Sequence, residues 1–287
     1  MSAQDHVLFL FNNLCLADGV GVSASSEASA DLEAENLLTP NRWEIWRGEA
    51  SETEVTIDIT LAEGSEVAVG IAALVDSNLS SNGTIRLQSW SDSIEGSTPG
   101  ADVTVNALEA LSGYGMGGFG TGGYGGGATK ETLGLVRPIS FIPLGDFYMD
   151  RYWRFTLRDE SLDYLQAAIP YLGDFFQPSS NYSWGAAREL EYRTKRRESR
   201  GGQKFGRRRA PRMVLTGELL DMETPEADLL WLQHLRGENS TPFICCFKPD
   251  QGMGQLLTAI YGVFDGAKIA DEYANHHNTT IRIIEEL

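Results

Sequence analysis

The sequence predicts a mainly β chain: a β-sandwich over residues 1–162, then an α+β domain of antiparallel strands with one helix over residues 163–287. Three observations carry that reading. Short apolar or alternating runs recur roughly every ten residues up to about residue 160, separated by Gly, Asn and Ser. A single stretch, "TPEADLLWLQHLRG", carries complete helix punctuation. At 287 residues the chain is also longer than one small core requires, and 42% hydrophobic with 22% charged residues is a globular composition.

The strands follow in order. "HVLFLF" opens with an apolar run, and "EVTIDIT" (54–60) alternates with Val55, Ile57 and Ile59 on one face. "VAVGIAALVD" (67–76) reads as a buried strand. "GTIRLQSWSD" (83–92) alternates through Ile85 and Leu87, and "YWRFTLRD" (152–159) does so from Tyr152 or Trp153. Between residues 23 and 48 the chain is polar and turn-rich, with one short helical turn expected before Trp43 and Trp46.

One insertion interrupts the sandwich. Ten of the fifteen residues from Gly113 to Gly127 are glycine, within an inserted loop at 112–128 that follows "VTVNALEAL" and precedes "GLVRPISFIPLG". It contains G-x-G-x-x-G at Gly115, Gly117 and Gly120, yet a dinucleotide site needs those glycines between a strand and a helix. No amphipathic helix follows and Lys130 precedes Glu131, so no cofactor is expected. Glycine makes such a loop costly to order, which burial of its large apolar side chains on a partner would offset. Tyr114, Met116, Phe119 and Tyr124 are therefore candidate partner anchors.

In the second half, "DYLQAAIPYLG" reads as a strand leading into an aromatic loop. "RELEYRTKRRESRGGQKFGRRRAPRMVLTGELL" reads as a long hairpin around "GGQKFG". Helix punctuation follows: Thr224 as N-cap, Pro225 as first residue, Glu226 in the first turn and Gly237 past the end. Ala227, Leu230, Trp231, His234 and Leu235 are expected on one face. "TPFICCFKPD", "LLTAIYGVFDG" and "TTIRIIEEL" read as strands.

Net charge is −17, but it is unevenly spread. Residues 193–212 hold ten Lys or Arg and one Glu, a local +9, which leaves −26 on the rest. Such separation lets copies of one chain attract each other, basic segment to acidic face. Arg196, Arg197, Arg207, Arg208 and Arg209 are candidate partner contacts in this basic hairpin. Only Phe205 is available there for stacking on bases, so a protein interface is preferred over nucleic acid.

Enzymatic signals are thin. The four histidines, His6, His234, His276 and His277, sit in no metal or nucleophile motif. Acidic pairs such as Asp58 with Glu63 are expected by chance among forty carboxylates. No catalytic residue and no metal site is assigned, and the chain is read as a non-enzyme. Cys15, Cys245 and Cys246 are read as buried free thiols, since adjacent cysteines rarely pair. No run of eighteen apolar residues occurs and the first residues lack a signal-peptide pattern, so a soluble intracellular product without membrane insertion is expected.

Several small motifs carry a family resemblance. An A-x-N-L segment leads to Trp46 and Arg47, a strand holds Ile57, Asp58 and Ile59, and Ile71, Ala72, Asn78, Leu79 and Ser80 form an I-A-x-x-x-x-x-N-L-S run. This order resembles the discoidin-like, galactose-binding-like β-sandwich (jelly roll) of bacteriophage tail proteins, and the second half resembles their companion tail-assembly domain. The resemblance implies a virion structural protein at the distal tip or baseplate. It implies assembly as a ring or trimer with copies of itself and neighbouring tail proteins, in the host bacterial cytoplasm. The sandwich name also suggests an alternative, adhesion to a host-surface glycan, for which Trp43, Trp46 and Trp90 are the aromatic candidates. Tryptophans in strand patterns are more often core, so assembly ranks above adhesion.

Overall fold

The computed structural model describes residues 6–64, 67–94, 96–108, 138–183, 185–193, 196–198, 202, 204–206, 211–237, 240–249, 255, 257–273 and 276–286. The chain is mainly β and forms two compact units. One comprises residues 1–177 with 246–259, the other residues 178–245 with 260–287.

The first unit is a β-sandwich. Its strands are β1 (Leu8–Leu10), β2 (Gly21–Ala24), β3 (Trp46–Arg47), β4 (Glu54–Thr60), β5 (Val69–Val75) and β6 (Thr84–Trp90). They continue with β7 (Asp102–Asn106), β8 (Ile139–Tyr148), β9 (Tyr152–Arg158), β10 (Gln166–Ala167) and β11 (Ile169–Gly173). One sheet has the order β2-β4-β9-β6-β7, a second β11-β5-β8, and β10 pairs with β3. The segment read as a strand of the second domain, "DYLQAAIPYLG", thus supplies β10 and β11 to sheets of the sandwich unit.

Alternation explains the five-stranded sheet. β4 buries Val55, Ile57 and Ile59, while Trp153, Phe155 and Leu157 of β9 and Ile85 and Leu87 of β6 turn to the same core. They meet Val69, Ala72 and Leu74 of β5, Ile142 and Leu144 of β8 and Leu172 of β11 in one cluster, so the two sheets face each other. β5 is buried at all seven positions, as its continuous apolar run predicts for a central strand. Gly70 on it leaves room for the Phe147 ring: an added Cβ would lie 2.5 Å from that ring and force it to move. The expected helical turn before Trp43 is present as two short 3-10 turns, Ala30–Leu32 and Ala34–Leu38.

The second unit holds β12 (Ala187–Glu191), β13 (Arg196–Glu198), β14 (Lys204–Gly206), β15 (Arg212–Glu223), α1 (Thr224–Gly237), β16 (Phe243–Cys246), β17 (Ala259–Tyr273) and β18 (His276–Glu285). Its main sheet runs β16-β17-β18-β15-β12. The long hairpin is built in two stages: β12 pairs with β15, and beyond them β13 pairs with β14, with Arg197 opposite Phe205. All three cysteines are buried thiols outside any disulfide, and burial pushes the Cys15 thiol well above the ordinary thiol range.

The helix forms where its punctuation places it, running one residue further at each end (Thr224–Gly237), but does not bury its expected face. Ala227 and Leu230 are buried, whereas Trp231 is 41% and Leu235 52% exposed. At about 100° per residue, Trp231 and Leu235 stand about 100° and 140° around the helix from Leu230. The contact stripe is narrow and leaves both outside it. His234 stays near the stripe, with its ring edge-on to Phe264 at 5.5 Å.

Candidate functional site

Sheet register brings several loops to one end of the sandwich. Glu54 at the start of β4 and Thr84 at the start of β6 both pair with Arg158 at the end of β9. The connections 48–53, 76–83 and 159–165 therefore emerge together. β7 ends and β8 begins at the same end, since Ala107 N–H donates to Gly83 O (2.8 Å) and Asp76 N–H to Pro138 O (2.9 Å). The glycine-rich tract between them lies outside the described residues, and both of its flanks are anchored at this end.

A polar lattice ties these loops together. Arg42 donates from Nε and Nη2 to the two carboxylate oxygens of Asp76 at 2.5 and 2.6 Å, and its side chain is only 3% exposed. This bidentate geometry is the strong form of the ion pair. Asp76 takes a left-handed backbone, φ 54°, which aspartate tolerates better than most residues. Two residues on, the Asn78 amide donates to Tyr164 O and accepts from Gln166 N–H, each at 2.8 Å. Gln166 in turn accepts from Arg47 Nη2 (2.9 Å), whose guanidinium carbon lies 4.3 Å from the Tyr164 ring centroid. Ser51 N–H donates to Asp163 O (2.7 Å) and Gly48 N–H to Leu165 O (3.0 Å).

Trp43 projects from this lattice. Its backbone N–H is held by the Asn41 side chain at 3.1 Å, its neighbour Arg42 is clamped, and its side chain is 69% exposed. The other two aromatic candidates are core residues. Trp46 is fully buried with Nε1 donating to Ser26 O, and Trp90 is buried with Nε1 donating to Ser97 O. Of the three tryptophans offered as sugar platforms, Trp43 alone presents its ring to solvent.

Asp159 is the structural anchor beside the site. Burial works against its charge, but hydrogen bonds from Ser161 and Ser80 outweigh that and hold its carboxyl below the ordinary aspartate range. The folded state thus prefers the ionised form, so its contribution is present above about pH 4 and is lost as pH falls below that. Asp159→Asn should cost about 2 kcal/mol at pH 7, and its urea midpoint should fall less than that of the wild type between pH 5 and pH 3. Equal falls in both proteins would show that Asp159 is not the titrating anchor.

Other expected sites fare differently. Asp58, one half of the weighed acid pair, is paired with Arg154 directly across β4 and β9 at 2.6 and 3.0 Å. Among the described residues no group of three or more His, Cys, Asp or Glu is placed to hold a metal, and no helix is long and apolar enough to cross a membrane. Arg196 and Arg197 lie on β13. Tyr114, Met116, Phe119, Tyr124, Arg207, Arg208 and Arg209 fall outside the described residues. Sequence reading missed Arg42, Asp76, Asn78 and Tyr164 as a set, because the partners are 34 or more positions apart.

No protein-family model matches this chain, and no curated protein matches it. Solved structures do. A chitosan-binding module derived from a chitosanase/glucanase of Paenibacillus sp. IK-5 is similar over 57% of this chain and 99% of that one, at 18% identity and a TM-score of 0.39. A family 32 carbohydrate-binding module from C. perfringens NanJ, in complex with galactose, is similar over 59% of this chain and 99% of that one (10% identity, TM-score 0.38). A GH29 fucosidase of Ruminococcus gnavus in complex with fucose is similar over 57% of this chain (11% identity, TM-score 0.40), and the match spans 27% of the fucosidase.

Proposed function

We propose that the sandwich is a carbohydrate-binding module whose ligand stacks on Trp43 at the loop end. The observation that carries this is an exposed indole on a loop clamped by a buried ion pair. A sugar ring has an apolar CH face that suits an aromatic plane, and its hydroxyls need amides and charges near the rim. Asn41, Glu44 and Tyr164 supply such groups on the same loops. Pre-ordering matters because binding then costs little loop entropy. This reverses the order reached from sequence, where adhesion ranked below assembly on the expectation that the tryptophans were core. The module is non-catalytic in this reading.

On a glycan array the full chain should bind saturably to at least one saccharide class. Trp43→Ala should abolish that binding while leaving the melting temperature within about 1 °C, since an exposed side chain contributes little to stability. Absence of saturable binding to every saccharide would overturn the proposal.

A second reading, assembly into a bacteriophage tail as a virion component, is favoured by one observation. The +9 segment 193–212 includes the β13–β14 hairpin, which extends the chain beyond the β12–β15 pair. In this reading the hairpin and the glycine-rich tract contact other copies or neighbouring tail proteins, and the sandwich presents its glycan site to the host. Deleting residues 113–127 should leave a folded chain and impair particle assembly. Normal infectious particles from the deletion mutant would refute the tract's role.

A further inference from the structure

Charge at the loop end narrows the ligand. Residues 39–53, 76–83 and 159–166 carry seven carboxylates, Glu44, Glu49, Glu52, Asp76, Asp159, Glu160 and Asp163, against two guanidiniums, Arg42 and Arg47. Arg42 is consumed by Asp76, and Arg158 at the end of β9 by Glu160 and Glu54. Glu44 and Asp163 are exposed and make no ion pair among the described residues. Among the buried polar atoms of these loops, two oxygens and the Arg47 Nε also lack a hydrogen-bond partner. Ser77, 6% exposed and set between Asp76 and Asn78, has an Oγ without a hydrogen-bond partner, and so does Oε2 of Glu52.

We infer that the saccharide carries protonated primary amines, as a polymer of glucosamine units does. This rests on the carbohydrate-binding reading above and goes beyond it by naming the charge of the ligand. An ammonium group donates three hydrogen bonds and is attracted both to unpaired carboxylates and to the face of an indole. Trp43 with Glu44 beside it offers both features within two residues. An anionic saccharide would meet the excess of like charge, and a neutral one would hydrogen-bond the carboxylates without neutralising them.

The test is calorimetric titration of the full chain with three tetrasaccharides: fully deacetylated glucosamine, N-acetylglucosamine and glucose. At pH 5.5 and low salt the amine tetramer should bind about tenfold more tightly than either neutral one, and raising salt to about 0.5 M should remove most of that preference. Glu44→Gln with Asp163→Asn should lower amine affinity about fivefold and any neutral affinity by clearly less, since only the amine loses an opposite charge. Equal binding of amine and acetylated tetramers, or an unchanged amine affinity in the double variant, would overturn the inference while the carbohydrate-binding reading stands. Binding of none of the three, together with an array that shows no saturable ligand, would remove both.

Discussion

Replacing Trp46 with alanine should cost about 3–5 kcal/mol and unfold the sandwich at temperatures where the wild type is stable. The side chain is fully buried and belongs to the one hydrophobic cluster that joins the two sheets. Its removal would leave a cavity that the surrounding β strands, held in register, cannot collapse to fill. The indole N–H also satisfies Ser26 O at 3.1 Å, and that acceptor would be stranded. Denaturant unfolding monitored by far-ultraviolet circular dichroism gives the number directly. A loss under 1 kcal/mol would mean that Trp46 is not part of the core.

Arg42→Ala should cost about 3 kcal/mol and weaken saccharide binding as well. The guanidinium is almost wholly buried, while Asp76 is 21% exposed and can recover some water, which places the expected loss at the low end for a broken buried pair. Without the clamp, the 40–45 turn loses its fixed link to the 76–78 loop, and Trp43 is no longer held in one place. The combined variant Arg42→Met, Asp76→Asn should be more stable than Arg42→Ala, because it leaves no unpaired charge, and asparagine tolerates the left-handed backbone. A double-mutant cycle measures the coupling. Additive effects would show that the pair is not energetically linked.

Local pattern made much of this fold legible. Alternation placed Glu54–Thr60 to the residue and Tyr152–Arg158 within one, because one face of each strand is core and the other solvent. Capping chemistry placed the helix within one residue at each end, Thr224 and Gly237 being its first and last residues rather than its flanks. The helix face was misread because periodicity alone does not say how wide a stripe the sheet will cover. Of the candidate site, Trp43 was visible as a residue type, but its difference from Trp46, three positions on, was not. Trp46 opens a strand whose partner is Ala167, more than a hundred positions away, and that pairing turns it inward.

The sequence by itself determined many of the strands, the helix and the sign separation of charge, all of which arise from neighbours close in the chain. Only the tertiary structure decided which tryptophan is core and which is exposed, that Arg42 finds Asp76, and that Asn78, Tyr164, Gln166 and Arg47 converge on the end of the sandwich where the glycine-rich tract is anchored. The physical reason is that these choices depend on strand order and register, contacts between distant segments whose closure no local pattern encodes.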